Sequence, residues 1–166
     1  TLKLMDDLLS HVKISRDGVF LSKTTLLVED EIENICKRFE NRILQRKINL
    51  VLPSTITFLK LDQLRFHQII SNLLSNAIKF SHVNGSIEVE VVSVKNYIEI
   101  YIKDFGIGIP SEMKHEVFDL FTKTARTGTQ GEKSTGLGMA ITKDLVQLHN
   151  GTIKVIDTVP QGTTFI

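Results

Sequence analysis

The chain has 166 residues, 42% of them hydrophobic and 23% charged, a balance that fits one globular domain able to bury a sizeable core. A net charge of +1 gives no electrostatic ground for nucleic acid or an anionic membrane as a general partner. No apolar run approaches the roughly 20 residues that span a bilayer, and the single cysteine, Cys36, excludes an internal disulfide framework and a multi-cysteine metal site.

At the start, Leu2, Leu4, Met5, Leu8 and Leu9 give a short helical period that fades near Ser15-Arg16-Asp17-Gly18. Phe20 to Leu27 reads as extended. The acidic run Glu29-Asp30-Glu31 then suits a helix N-terminus, and Ile32, Ile35, Cys36, Phe39, Ile43 and Leu44 keep helical spacing. Lys47 to Leu52 and Ile56 to Leu61 read as two strands around a turn at Pro53-Ser54.

A helix follows from Asp62. Ile69, Ile70, Leu73, Leu74, Ala77 and Ile78 form its apolar stripe, and Asn72, Asn76 and Lys79 share a neighbouring face. Asparagine is a mediocre helix former because its amide competes for backbone hydrogen bonds, so two of them one turn apart call for a reason. Taken alone, the helix leaves two open: a solvated polar face or a ligand face.

Beyond the turn at Val83-Asn84-Gly85, two strands, Ser86 to Val94 and Tyr97 to Lys103, point Ile87, Val89, Val91 and Ile98, Ile100, Ile102 at a core. They deliver the chain to Asp104-Phe105-Gly106-Ile107-Gly108-Ile109-Pro110. Such a strand end lets backbone approach a ligand and holds a carboxylate at a rim, although a plain glycine turn would look the same. Ser111 is placed to cap a short helix carrying Met113, Val117 and Phe118. Thr122 to Thr135 has no apolar residue larger than alanine and reads as a functional lid or a disordered loop. Gly136-Leu137-Gly138 then opens a helix, an arrangement whose free N–H groups favour an anion. Asn150-Gly151 ends it, and Ile153, Val155 and Thr163 to Ile166 supply two last strands. Neither a P-loop nor a dinucleotide fingerprint is present. Gly131-Glu132-Lys133-Ser134-Thr135 lacks a contiguous Gly-Lys-Ser/Thr, and Gly106-Ile107-Gly108 opens no helix.

An Asn-x-x-x-Asn helix, an Asp-x-Gly-x-Gly loop, a Phe-x-x-Phe segment and a Gly-Leu-Gly helix start, in that order, resemble the N, G1, F and G2 boxes of sensor histidine kinases. This is the catalytic ATP-binding domain of the GHKL superfamily, and the likeness runs from about Leu21 to Ile166, through the closing Gly162-Thr163-Thr164-Phe165. It implies an α+β fold, a two-layer sandwich with about three helices on a mixed, largely antiparallel five-stranded sheet. Residues 1–18 would be the tail of a preceding dimerisation and phosphoacceptor helical hairpin, and 19–166 the catalytic domain.

The resemblance implies ATP and Mg²⁺ as cofactors. Asn76 would ligate Mg²⁺, a hard cation that accepts an amide oxygen, while Asn72 and Lys79 sit beside the phosphates and Lys123 reaches the γ-phosphate. Asp104 would accept from the adenine amino group, with Gly106 and Gly108 closing over the base. Phe118 and Phe121 would anchor the lid, Thr135, Gly136, Leu137 and Gly138 would wrap the phosphates, and Thr164 would complete the nucleotide contacts. Departures from the family pattern are Ser134, Met139 and Thr122, none of them an assigned ligand.

Hydrolytic members of the superfamily carry a glutamate as general base where this chain has Asn72, an amide that takes no proton at neutral pH. The implied reaction is therefore transfer of the γ-phosphoryl to a histidine on a separate helical hairpin of the same parent protein. A response-regulator receiver domain would be the next partner. No histidine here fits the acceptor: His11 is followed by Val12-Lys13 where an acidic residue is expected, His67 reads as solvated, and His149 as a structural helix end. Thr1 is not an initiator methionine, so the chain is expected to be a monomeric cytoplasmic piece of a longer protein, itself touching no membrane, whether or not its parent is anchored in one. The alternative is a nucleotide-sensing domain without phosphotransfer; a cycling ATPase is disfavoured by Asn72.

Overall fold

The computed structural model describes residues 20–120, 127–132 and 136–166. The expected hairpin tail 1–18 with His11 lies outside the described residues, as do Phe121, Thr122, Lys123, Ser134 and Thr135. In chain order the elements are β1 (Lys23–Leu27), α1 (Val28–Lys37), α2 (Glu40–Gln45), β2 (Asn49–Val51), β3 (Phe58–Asp62), α3 (Gln63–Phe80), β4 (Ser86–Val94) and β5 (Tyr97–Asp104). A 3-10 helix (Ser111–Glu116), α4 (Gly138–Leu148), β6 (Val155–Asp157) and β7 (Thr163–Phe165) follow.

Five strands form one sheet in the order β2-β4-β5-β7-β6, with β2 parallel to β4 and the other pairs antiparallel. The alternation read in the β4–β5 hairpin is present: Ile87, Val89, Val91 and Ile102 are buried in one core with α1, α3 and α4. On the other face Lys103 pairs with Glu88 and Glu90, as a solvated surface should. The α+β sandwich expected from the sequence is thus the fold, with α3 packed between α1 and α4.

α3 earns its central place through its stripe. Asp62 caps it, its carboxylate accepting from Arg65 N at 3.0 Å. Ile69, Ile70, Leu73, Leu74, Ala77 and Ile78 are all buried, each of the larger ones contributing about 2 kcal/mol by transfer out of water. His149 joins the helix start to the end of α4: its Nδ1 donates to Leu145 O at 2.8 Å and its Nε2 accepts from Asp62 N at 3.2 Å. The helix end at Asn150-Gly151 takes the left-handed form, with Asn150 at φ 61° and Gly151 N donating to Val146 O at 3.0 Å.

Three local expectations change. The strands flanking Pro53-Ser54 do not pair with each other; β2 joins the large sheet, and β3 pairs with β1 in a separate two-stranded sheet. The reason is Glu29, whose buried carboxylate accepts from Thr55 Oγ1 and Thr57 N and so ties the crossover to the start of α1. The helical spacing of residues 32–44 is interrupted at Arg38 and Phe39, whose N–H groups donate to Ile35 and Cys36. Ser111 caps nothing, because the segment after Pro110 winds as a 3-10 helix with no side-chain cap.

Candidate functional site

The C-terminus of α3 exposes four orphan carbonyls, as every helix end does, and four different groups satisfy them. Ser81 N donates to Ala77 O at 3.0 Å, Arg46 Nη1 to Ile78 O at 2.7 Å, Thr129 N to Lys79 O at 3.0 Å and Ile107 N to Phe80 O at 3.1 Å. Two consecutive carbonyls therefore hold the Asp104 loop and the 127–132 segment next to one another.

Asp104 ends β5 and is only 2% exposed. Its Oδ1 accepts from Gly106 N at 3.0 Å and Thr163 N at 3.3 Å, while Oδ2 has no hydrogen-bond partner among the described residues. Burial pushes this carboxyl up to about 6, against the pull of those two N–H groups. The turn after it is closed by backbone. A Cβ on Gly106 would stand 2.0 Å from Phe80 O, and one on Gly162, at φ +140°, would stand 2.0 Å from Asp104 O. Gly108 lies against Gly162. A buried acceptor oxygen with a free lone pair, at the rim of a turn that admits no side chain, suits a flat ligand carrying an N–H donor.

On α3, Asn72 donates from Nδ2 to Gly138 O at 3.1 Å and to Thr142 Oγ1 at 3.2 Å, so its amide stitches α3 to the first turn of α4. Asn76 Nδ2 contacts Met139 Sδ at 2.9 Å, and its Oδ1 has no partner among the described residues. Lys79, 6% exposed, sets its ammonium 5.1 Å from the Phe80 ring centroid. Of the three polar groups expected on one face, Asn72 and Asn76 meet the start of α4, and Lys79 lies under Gly128 of the 127–132 segment. Gly136 leads into that helix, and Leu137 is fully buried, so only its backbone can face a ligand. Among the described residues no group of three or more His, Cys, Asp or Glu could hold a metal ion, and a cation here would depend on the Asn76 amide oxygen.

Thr164 is not beside Asp104. It pairs with Lys103 across the sheet, on the face opposite to Asp104, and its hydroxyl lies 2.7 Å from Thr158 Oγ1. Thr163 stands directly opposite Asp104 in the ladder. Phe165 points to the core, and a period of two puts Thr163 on that same face, a signal available in the sequence. Phe118 packs edge-on against Phe165, ring centroids 6.2 Å apart. His67 lies away from this cluster and is not solvated: its Nε2 bonds Glu31 of α1 and its Nδ1 accepts from Arg38 Nη2 at 3.2 Å. Arg46, which no sequence signal singled out, is a buried part of the site's framework.

The described residues contain no helix long and apolar enough to cross a membrane. The sensor protein kinase WalK of Staphylococcus haemolyticus is 31% identical over 165 residues, covering 98% of this chain and 27% of that protein. The chain thus spans well under half the length of such curated relatives, 18% of a clostridial KdpD sensor protein being another case. Acinetobacter baumannii histidine kinase AdeS superposes with a TM-score of 0.81 at 25% identity, over 97% of this chain and 73% of that one. Histidine kinase ThkA, in a structure with the response regulator protein TrrA, shares the fold at a TM-score of 0.79 and 22% identity, over 98% and 46%. A family model for histidine kinase-, DNA gyrase B-, and HSP90-like ATPases matches residues 61–166, taking in α3, α4 and every strand that frames Asp104. The chain belongs to that ATPase family.

Proposed function

We propose that this chain is the ATP-binding catalytic domain of a sensor histidine kinase, and that it delivers the γ-phosphoryl group to a histidine on a helical hairpin elsewhere in its parent protein. The observation that carries the nucleotide is Asp104, whose unshared Oδ2 accepts from the adenine amino group while Gly106 and Gly108 line the base. Asn72 and Lys79 serve the phosphates, Lys79 as a point charge, with Gly136 and Gly138 alongside. Lys123, Phe121 and Thr135 are proposed on the family resemblance alone. Asn76 Oδ1, an amide acceptor with nothing bonded to it among the described residues, fits Mg²⁺. When bound, Mg²⁺ supplies charge neutralisation to the phosphates.

Asn72 favours transfer over hydrolysis. Its amide donates to a carbonyl and a hydroxyl of α4, which leaves no base on this turn to take a proton from water. Positioning and electrostatics then account for the chemistry, with the nucleophile brought from outside. A response-regulator receiver domain is the proposed onward partner, by analogy with the ThkA complex, and the cytoplasm the proposed location.

Calorimetric titration with Mg-ATP, followed by label transfer to a supplied hairpin domain, tests the reading. Binding with transfer is expected. Binding without transfer favours a nucleotide sensor, and rapid phosphate release overturns the role given to Asn72.

A further inference from the structure

Residues 127–132 pack against the domain, and one side chain from outside that segment holds them there. Arg46 follows α2, with its side chain only 4% exposed. Its Nη1 donates to Ile78 O at 2.7 Å, Ser81 O at 3.2 Å and Thr129 Oγ1 at 2.9 Å, and its Nη2 bonds Glu132. Glu132 also accepts from Gln130 N at 3.0 Å, and its carbonyl accepts from Gly128 N at 2.8 Å, which folds the segment into a compact turn. Thr129 completes the junction, with its N–H on Lys79 O and its hydroxyl within reach of Lys79 O and Ser81 O.

A buried guanidinium needs a counter-charge, and Glu132 supplies it. Capping the last turn of α3 would need only the bonds to Ile78 O and Ser81 O. The bonds to Thr129 and Glu132 go further, reaching the segment that covers Lys79. Gly128 sits so close over that lysine that an added Cβ would stand 2.5 Å from Lys79 Cγ.

We propose that Arg46 is a positioning residue for the phosphate end of the nucleotide: with Thr129 and Glu132 it latches residues 127–132 onto the end of α3 and so fixes Lys79. This rests on the nucleotide reading above. The latch acts on the phosphates and not on the base, because the loop after Asp104 is tied, through Ile107 N, to a different carbonyl, that of Phe80.

Arg46 itself is too buried for a clean test, so the latch is opened from its exposed side. Glu132, 32% exposed, and Thr129 can be changed while Arg46 keeps its bonds to α3. In Glu132→Ala and Thr129→Val, hydrogen exchange at the Thr129 amide is expected to speed up. Mg-ATP affinity is expected to fall about tenfold, the worth of one charge-assisted bond. Adenosine affinity, measured by competition, stays unchanged. Equal losses for adenosine and Mg-ATP, or a fast Thr129 amide with unchanged Mg-ATP affinity, overturn the latch and leave the nucleotide reading standing. No Mg-ATP binding by the unaltered chain overturns both.

Discussion

Replacing Asp104 by asparagine should make the domain more stable and useless for nucleotide at once. The carboxyl is raised by burial from its ordinary 3.8 to about 6, and at about 1.4 kcal/mol per pH unit that rise is worth about 3 kcal/mol. The sign follows from the direction. A carboxyl with a raised folded value holds its proton more tightly when folded, so it costs nothing below about pH 4 and costs its full amount above pH 6. Asparagine keeps Oδ1 for Gly106 N and Thr163 N but never carries the charge. At pH 7 the variant should therefore gain up to about 3 kcal/mol, or several degrees in Tm at roughly 2–4 °C per kcal/mol. Near pH 4.5 the gain should shrink to about 1 kcal/mol. In the same variant Nδ2 puts a donor where Oδ2 offered an acceptor, against a ligand group that also donates, and Mg-ATP affinity should drop by about a hundredfold or more. Thermal unfolding at the two pH values and calorimetry at pH 7 decide it. A lower Tm at pH 7, or near-normal affinity, would refute the reasoning.

Gly106→Ala forces a Cβ into the Phe80 carbonyl and should cost more than about 3 kcal/mol in urea unfolding, with loss of nucleotide binding. Asn72→Asp turns a donor into an acceptor against Gly138 O. A loss of about 2 kcal/mol in urea unfolding is expected; unchanged stability would contradict the contact. Thr163→Val and Thr164→Val separate the two faces of β7. The first should weaken Mg-ATP in a binding titration, whereas the second, which strands the Thr158 hydroxyl, should lower stability by about 1 kcal/mol and leave affinity alone. Asn76→Ala should abolish the Mg²⁺ dependence of ATP affinity while adenosine binds as before; an unchanged Mg²⁺ titration would remove Asn76 from the metal site.

What could be read in the residues was whatever has a short period. α3 shows its apolar stripe at three and four, its cap at Asp62 and its polar face, because all of these are set within a turn or two of helix. The β4–β5 hairpin is legible for the same reason, with partners joined by a tight turn. β2 and β3 were legible as strands but not as members of different sheets, since that choice depends on Glu29 reaching Thr55 and Thr57. Thr164, named from the resemblance, and Thr163, which faces Asp104, differ by one residue, and in a strand one residue means the opposite face. Arg46 gave no signal. An arginine at a helix end looks solvated until the carbonyls of a helix some thirty residues downstream are found around it.

The bond from Thr163 to Asp104 joins residues 59 apart in the chain. Closing that distance is a late event in folding, because long-range strand pairing must wait until the entropy of the intervening chain has been overcome. α3 can form early from local contacts, but the carboxylate acquires both its N–H donors only once β7 docks on β5. During synthesis Asp104 therefore lacks its second N–H donor until the chain has grown through Thr163. On the proposed role of Asp104, nucleotide binding would report on completion of the sheet: a chain stalled before Gly162 would carry every asparagine of α3 and still lack the pairing that sets the carboxylate.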